Sequence, residues 1–223
     1  MKVLVALTMA LACAAESFAQ SGARSANNFS LHPCPGGKGI VETAPMGVQT
    51  ELYGLVYASQ LIVDGTVSTV LPAFNPDPNQ LNGIETDSLV LVARTLHGSL
   101  PAGAPNYITL AQQGGKAGPC EIVVPADPLV KVGERYVLFL FPDNRKQVAN
   151  TSGAPRYYAV GLWAGKAKIV DGKIQFLPRA AAGLHMYDNT DAASFIQLVT
   201  DWVSALYHNG PAPRYTPPPY PHK

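Results

Sequence analysis

Gly133-Glu134-Arg135-Tyr136-Val137-Leu138-Phe139-Leu140-Phe141 (GERYVLFLF) is the stretch that decides the fold. Val132 to Arg135 reads as a turn, and Tyr136 to Phe141 follows it as the most apolar strand after residue 20. Aromatic and β-branched side chains suit a pleated surface, and so short an apolar run between turn signals is strand rather than helix.

Upstream, Leu61 to Val70 (LIVDGTVSTV) is β-branched, with Gly65 marking a bulge or bend. Pro72 to Gly83 is a loop. Thr86 to Leu96 is the next strand, and its continuous Leu89–Ala93 core predicts burial on both faces. Asn106 to Gln112 alternates, Gly114-Gly115 ends it, and Cys120 to Val124 starts another strand. Downstream, Arg156 to Trp163, Lys166 to Val170 and Lys173 to Leu177 complete the set. The last two are joined by Asp171-Gly172, a strong hairpin signal. Many short strands with frequent turns predict a mainly β barrel or sandwich.

Two helices are expected. Thr50 to Gln60 carries Leu52, Leu55, Val56 and Ser59 along one face, with Thr50 as N-cap. From Asp191 to Tyr207, the residues Phe195, Leu198, Val199, Trp202, Val203 and Leu206 make an apolar stripe. Asn189 or Thr190 is expected to cap that helix, and Asn209-Gly210 to stop it. The Pro-rich tail, 209–223, has polyproline II composition.

The chain's start has the form of a signal peptide. Met1-Lys2, an apolar run from Val3 to Ala15, and Ser17-Phe18-Ala19 predict cleavage before Gln20. That divides the chain into a signal peptide (1–19), an extended arm (20–49), the barrel domain with its C-terminal helix (50–208), and the tail. The expected location is secreted or periplasmic, where Cys34 and Cys120 pair as a disulfide closing a loop of about 86 residues. A metal or thiol role for Cys34 beside His32 is the weaker alternative, and Cys13 only faintly resembles a lipid-anchor site. Charged residues make up 14% of the chain, and 16 Lys and Arg face 15 acidic residues. Such a balance offers no basic field for nucleic acid, and the apolar start is too short to span a bilayer.

Leu61–Val67 (LIVDGTV), His97-Gly98, Gly114-Gly115 and Gly133–Leu140 (GERYVLFL) together resemble a group of secreted bacterial proteins with an OB-like β-barrel. At greater distance the layout is similar to netrin-like modules, including tissue inhibitors of metalloproteinases. The resemblance implies an OB-like antiparallel barrel of five to eight strands with a short N-terminal helix and one C-terminal amphipathic helix. Those inhibitors act through a cysteine at the free N-terminus, whereas Cys34 lies well inside the arm, so their mechanism is not expected here.

Motifs for nucleophiles and zinc, such as G-x-S-x-G, S-x-x-K and HExxH, do not occur. His97, His185 and His208 read as surface residues. Asp64 and Glu134, both beside glycines, read as groups that hydrogen-bond at bends. Asp77 to Glu85 imitates a calcium loop poorly, with Leu81 and Asn82 at positions that need an oxygen ligand and glycine. No cofactor or metal site is expected. Arg156, Tyr157, Tyr158 and Trp163, read as one strand, form the candidate binding surface, since OB barrels use exposed aromatics. The function these features favour is non-enzymatic binding of a protein or cell-envelope component. The alternatives are a hydrolase with a site assembled in space, and a structural or adhesion component of the envelope.

Overall fold

The structure, a computed structural model, describes residues 38–40, 51–76, 83–145 and 152–213. The expected signal peptide with Cys13, most of the arm with Cys34, residues 77–82 of the calcium-like loop, and the tail beyond Pro213 lie outside the described residues.

Among the described residues, ten strands and three helices follow in order. They are β1 (Lys38–Ile40), α1 (Leu52–Ala58), β2 (Leu61–Val70), β3 (Glu85–His97), β4 (Tyr107–Gln113), β5 (Gly115–Ala117), β6 (Cys120–Val123) and β7 (Arg135–Pro142), then β8 (Arg156–Ala159), β9 (Lys166–Val170), β10 (Lys173–Gln175), α2 (Ala182–His185) and α3 (Ala192–Tyr207). β2, β3, β4, β8 and β7 form a closed ring, because β7 pairs with both β2 and β8. The protein is therefore mainly β, an OB-like five-stranded barrel. The ring is antiparallel except at β4–β8, which runs parallel through Thr109↔Arg156, Leu110↔Tyr157 and Ala111↔Tyr158. β9 and β10 extend the sheet from β7, and β1, β6 and β5 make a separate small sheet.

β7 explains why its sequence is apolar throughout. Tyr136, Leu138 and Leu140 join Leu61, Val63, Val67, Ile108 and Leu110 inside the barrel. Val137 and Phe139 point the other way, into a second core beneath the helices with Leu55, Trp163, Ile174, Phe195 and Val199. A strand buried on both faces needs no alternation. β3 was expected to share that property through Leu89–Ala93 and does not: Leu91 is 42% exposed. Its buried half is instead the polar run Glu85-Thr86-Asp87-Ser88.

The β2–β3 ladder slips register at Asp64/Gly65, as the glycine suggested. A Cβ on Gly65 would lie 2.7 Å from Val90 Cγ1 and 2.9 Å from the Leu91 carbonyl oxygen, so close strand approach demands glycine. The β9–β10 hairpin turns on Asp171 and Gly172, with φ of 50° and 75°, the left-handed pair that a tight hairpin needs.

α1 spans Leu52–Ala58 with Glu51 at its N-cap position, and Thr50 is outside the described residues. α3 is capped by Asp191, not by Asn189 or Thr190. One Asp191 carboxylate oxygen accepts from the Ala193 and Ser194 backbone N–H groups, both at 3.0 Å. Asn189 instead turns the chain into the helix at φ 65°. Phe195, Leu198, Val199 and Val203 are buried against the barrel, while Trp202 and Leu206 are half-buried at its edge. Asn209 adopts φ 57°, and Gly210 N–H donates to the Ser204 carbonyl, ending the helix as expected.

Candidate functional site

β8 is short and carries the densest polar cluster among the described residues. Its pairing sets Tyr158 opposite Ala111, which stands opposite Asp87 on β3. The small Ala111 leaves room for Arg156 to reach across β4. Arg156 Nη2 donates to Glu85 Oε2 at 2.6 Å and to Asp87 Oδ1 at 2.7 Å, and Nη1 pairs with Asp143. Arg145 grips Glu85 with two nitrogens, each at 2.8 Å, and also Asp143. Tyr158 donates its hydroxyl to Glu85 Oε1 at 2.9 Å. Burial pushes the Glu85 carboxyl up, but hydrogen bonds from Arg145 and Arg156 outweigh it and hold it below the ordinary range. Asp143 is held low by the same balance, with Arg145 the main donor. Carboxylates locked in the ionised form cannot act as general acids at neutral pH. The cluster is built to tie strands together.

The four residues of the expected binding surface therefore separate. Arg156 and Tyr158 belong to this ionic cluster. Tyr157 turns into the barrel core. Trp163 is not on the strand, which ends at Ala159. It sits in the following turn, 3% exposed, donating its indole N–H to the Arg179 carbonyl at 2.9 Å. The expectation of one aromatic-bearing strand from 156 to 163 is thus corrected: Gly161 and Leu162 take left-handed conformations, φ 60° and 58°, and break it. Asp64 is engaged by Arg135 at 2.7 and 2.8 Å. Glu134 accepts across its turn from Lys131 N–H, and from Lys168 and Tyr136 rather than from Arg135 or Arg156.

Phe141, 38% exposed, stacks on Tyr158, but the largest group of exposed aromatics among the described residues lies elsewhere, where α1 and α3 meet the end of β3. Tyr53 and Tyr57, one helical turn apart on α1, present parallel rings 6.3 Å apart at 9°. Trp202 meets Tyr53 edge-on at 5.4 Å, and Tyr207 stacks on His97 at 4.3 Å. The Tyr207 hydroxyl reaches the Tyr57 carbonyl at 3.3 Å. Tyr57 is 66% exposed, and Tyr53 and Tyr207 are more than 40% exposed. Burial, and then the neighbouring His208, push the His97 imidazole below its usual value, so the ring stacking on Tyr207 is neutral at pH 7. The sequence held the signal in Tyr53 and Tyr57 at i and i+4, off the Leu52-Leu55-Val56 face. Reading α1 only for its buried face hid it.

A groove of about 380 Å³ lies between the β5–β6 hairpin and the loop after it, lined by Gly115, Ile122, Val124, Pro125 and Leu129 among others. His185 Nδ1 lies 2.8 Å from Asp188 Oδ2, and the other Asp188 oxygen accepts from Phe176 N–H, so this pair orders the α2 turn. His97 faces an aromatic ring, not a carboxylate. Among the described residues no helix is long and apolar enough to cross a membrane. No protein-family model matches the chain, and no curated protein matches it.

Proposed function

We propose that the protein is a secreted, non-enzymatic binding module that recognises a proline-rich polypeptide segment of an envelope protein. The observation that carries this reading is the exposed platform of Tyr53, Tyr57, Trp202 and Tyr207. Parallel rings on successive helical turns make a slot of the kind into which proline rings pack, and tyrosine hydroxyls beside it suit the unpaired carbonyls of polyproline II. Such a segment arrives already extended, so little ordering entropy opposes its docking. The chain also carries a segment of this chemistry, Pro211 to Pro221, starting just beyond Tyr207 at the rim of the platform.

The five-strand closure supports the likeness to secreted bacterial OB-barrel proteins and, more distantly, to netrin-like modules. A Cys34–Cys120 bridge belongs to the same reading. β1 runs parallel to β6 with Lys38 opposite Glu121, which brings the chain that follows Cys34 alongside the strand that Cys120 opens.

A synthetic peptide of residues 211–223 titrated into the full chain, and into the chain lacking those residues, tests the platform. Binding should perturb Trp202 fluorescence, be stronger in the shortened chain, and vanish in Tyr57→Ala. Absence of binding in both chains, together with a native-envelope pull-down indifferent to Tyr57→Ala, refutes the reading.

A further inference from the structure

Lys166 lies on β9 opposite Leu138, and cross-strand partners share a face, so its side chain enters the barrel interior. It is among the largest fully buried side chains of the protein. Its Nζ meets the carboxyl of Asp127, and the two side chains are 1% and 4% exposed. Lysine is almost never buried so completely, since taking an isolated ammonium out of water is severely unfavourable.

The partner is held in place independently. Asp127 N–H donates to the Val124 carbonyl at 3.0 Å. Gln112 of β4 clamps the following loop, donating to the Pro128 carbonyl at 3.1 Å and accepting from Val130 N–H at 2.9 Å. Lys166 Nζ also lies 3.4 Å from that Pro128 carbonyl. Asp127 Oδ1, the oxygen that Nζ meets, makes no aligned hydrogen bond. Taking both charges out of water at this depth is costly even when they are paired. The amine is thus positioned against the carboxyl group in a dry, rigid setting, as a condensation requires.

We propose that Lys166 and Asp127 are joined by a side-chain amide, an intramolecular isopeptide bond linking β9 to the loop after β6. Burial pushes Lys166 below the usual amine range, against the opposing pull of Asp127 and then Glu134, which favours the neutral, nucleophilic amine. Within the pair a proton passes from the ammonium to the Asp127 carboxylate, and the freed lone pair then attacks Asp127 Cγ, forming a C–N bond. A proton passes from nitrogen to the carboxyl hydroxyl, the C–O bond breaks, and water leaves. Nothing is oxidised or reduced, and no co-reactant is needed. The product amide keeps an N–H for the Pro128 carbonyl and removes both buried charges.

The test is the intact mass of the full chain, denatured and reduced, against the mass calculated for its determined termini. The wild type should be lighter by one water, and a digest should yield a branched peptide joining the segments that carry Asp127 and Lys166. Asp127→Ala and Lys166→Arg should each show their own full calculated mass. Pro128 follows Asp127 and has no N–H, so a cyclic imide cannot form at that aspartate. Asp64-Gly65 and Asp171-Gly172 could lose water that way, and the branched peptide distinguishes the two sources. A wild type at full mass, or a water loss placed at one of those Asp-Gly pairs, overturns the proposal. The measurement on the wild type decides the matter even if neither variant folds.

Discussion

Replacing Arg156 with methionine keeps a long unbranched side chain and removes the guanidinium. The Arg156 side chain is 5% exposed, and Asp87 and Glu85 are 3% and 10% exposed. Glu85 and Asp143 keep Arg145, but Asp87 loses the cation that pairs with it. Breaking a buried pair from one side leaves an uncompensated charge and costs about 3–5 kcal/mol. At about 2–4 °C per kcal/mol for a domain of this size, the melting temperature should fall by roughly 10 °C. The pH dependence is the sharper signature. Glu85 and Asp143 are held below their ordinary values of 4.5 and 3.8, so their contribution is present at neutral pH and lost as pH falls through their lowered folded values. In the variant Glu85 and Asp143 lose one of their two guanidinium partners, so their folded values move up towards the ordinary ones. The gap between wild type and variant should therefore be widest near pH 7 and narrow towards pH 4. Urea unfolding followed by tryptophan emission at both pH values measures it, since Trp163 is buried. A loss below about 1 kcal/mol at pH 7, or an equal loss at both pH values, refutes the reasoning.

Phe195→Ala should cost about 3–5 kcal/mol in the same assay, whereas Trp202→Ala, at a half-buried site, should cost roughly half as much. Gly65→Ala should destabilise by about 1–3 kcal/mol, because the new methyl meets the β3 backbone, and thermal melts will register it. His97 should titrate below 6.5 by NMR. Its depressed value makes its contribution to stability full above the unfolded value and lost as pH falls through the folded one, and Tyr207→Ala should raise it by admitting water.

Legibility in the sequence followed the reach of each signal. GERYVLFLF, the Asp171-Gly172 turn and the Phe195–Val203 stripe are local patterns, and each became the element it suggests. The parallel β4–β8 pairing is non-local: nothing in Arg156-Tyr157-Tyr158 says which strand it will join. That ignorance misplaced the candidate surface. Reading one strand through Trp163 overlooks the left-handed Gly161 and Leu162, which follow the strand's end at Ala159. The Asp127–Lys166 pair was invisible for a related reason, since it links segments that only barrel closure brings together. Burial of the polar run Glu85-Thr86-Asp87-Ser88 leaves no local signal, because its arginine partners come from 60 or more positions along the chain.

Why an OB barrel should seal one seam with charges follows from its shortest strand. β8 contributes four residues and closes the ring through three register pairs to β4 and three to β7. Such short ladders hold few backbone hydrogen bonds, and parallel pairs are slightly weaker per residue. Arg156 adds a third attachment by reaching over Ala111 to β3, so that β8 is bound to the two strands on one side as well as to β7. A cluster with that duty must stay ionised and rigid, which excludes it from general-acid chemistry at neutral pH. The outer face of β2 and β7 is likewise committed, because α1 and α3 cover it. At the rim where those helices end, Tyr53, Tyr57 and Tyr207 stay exposed, which is the face the proposed partner would use.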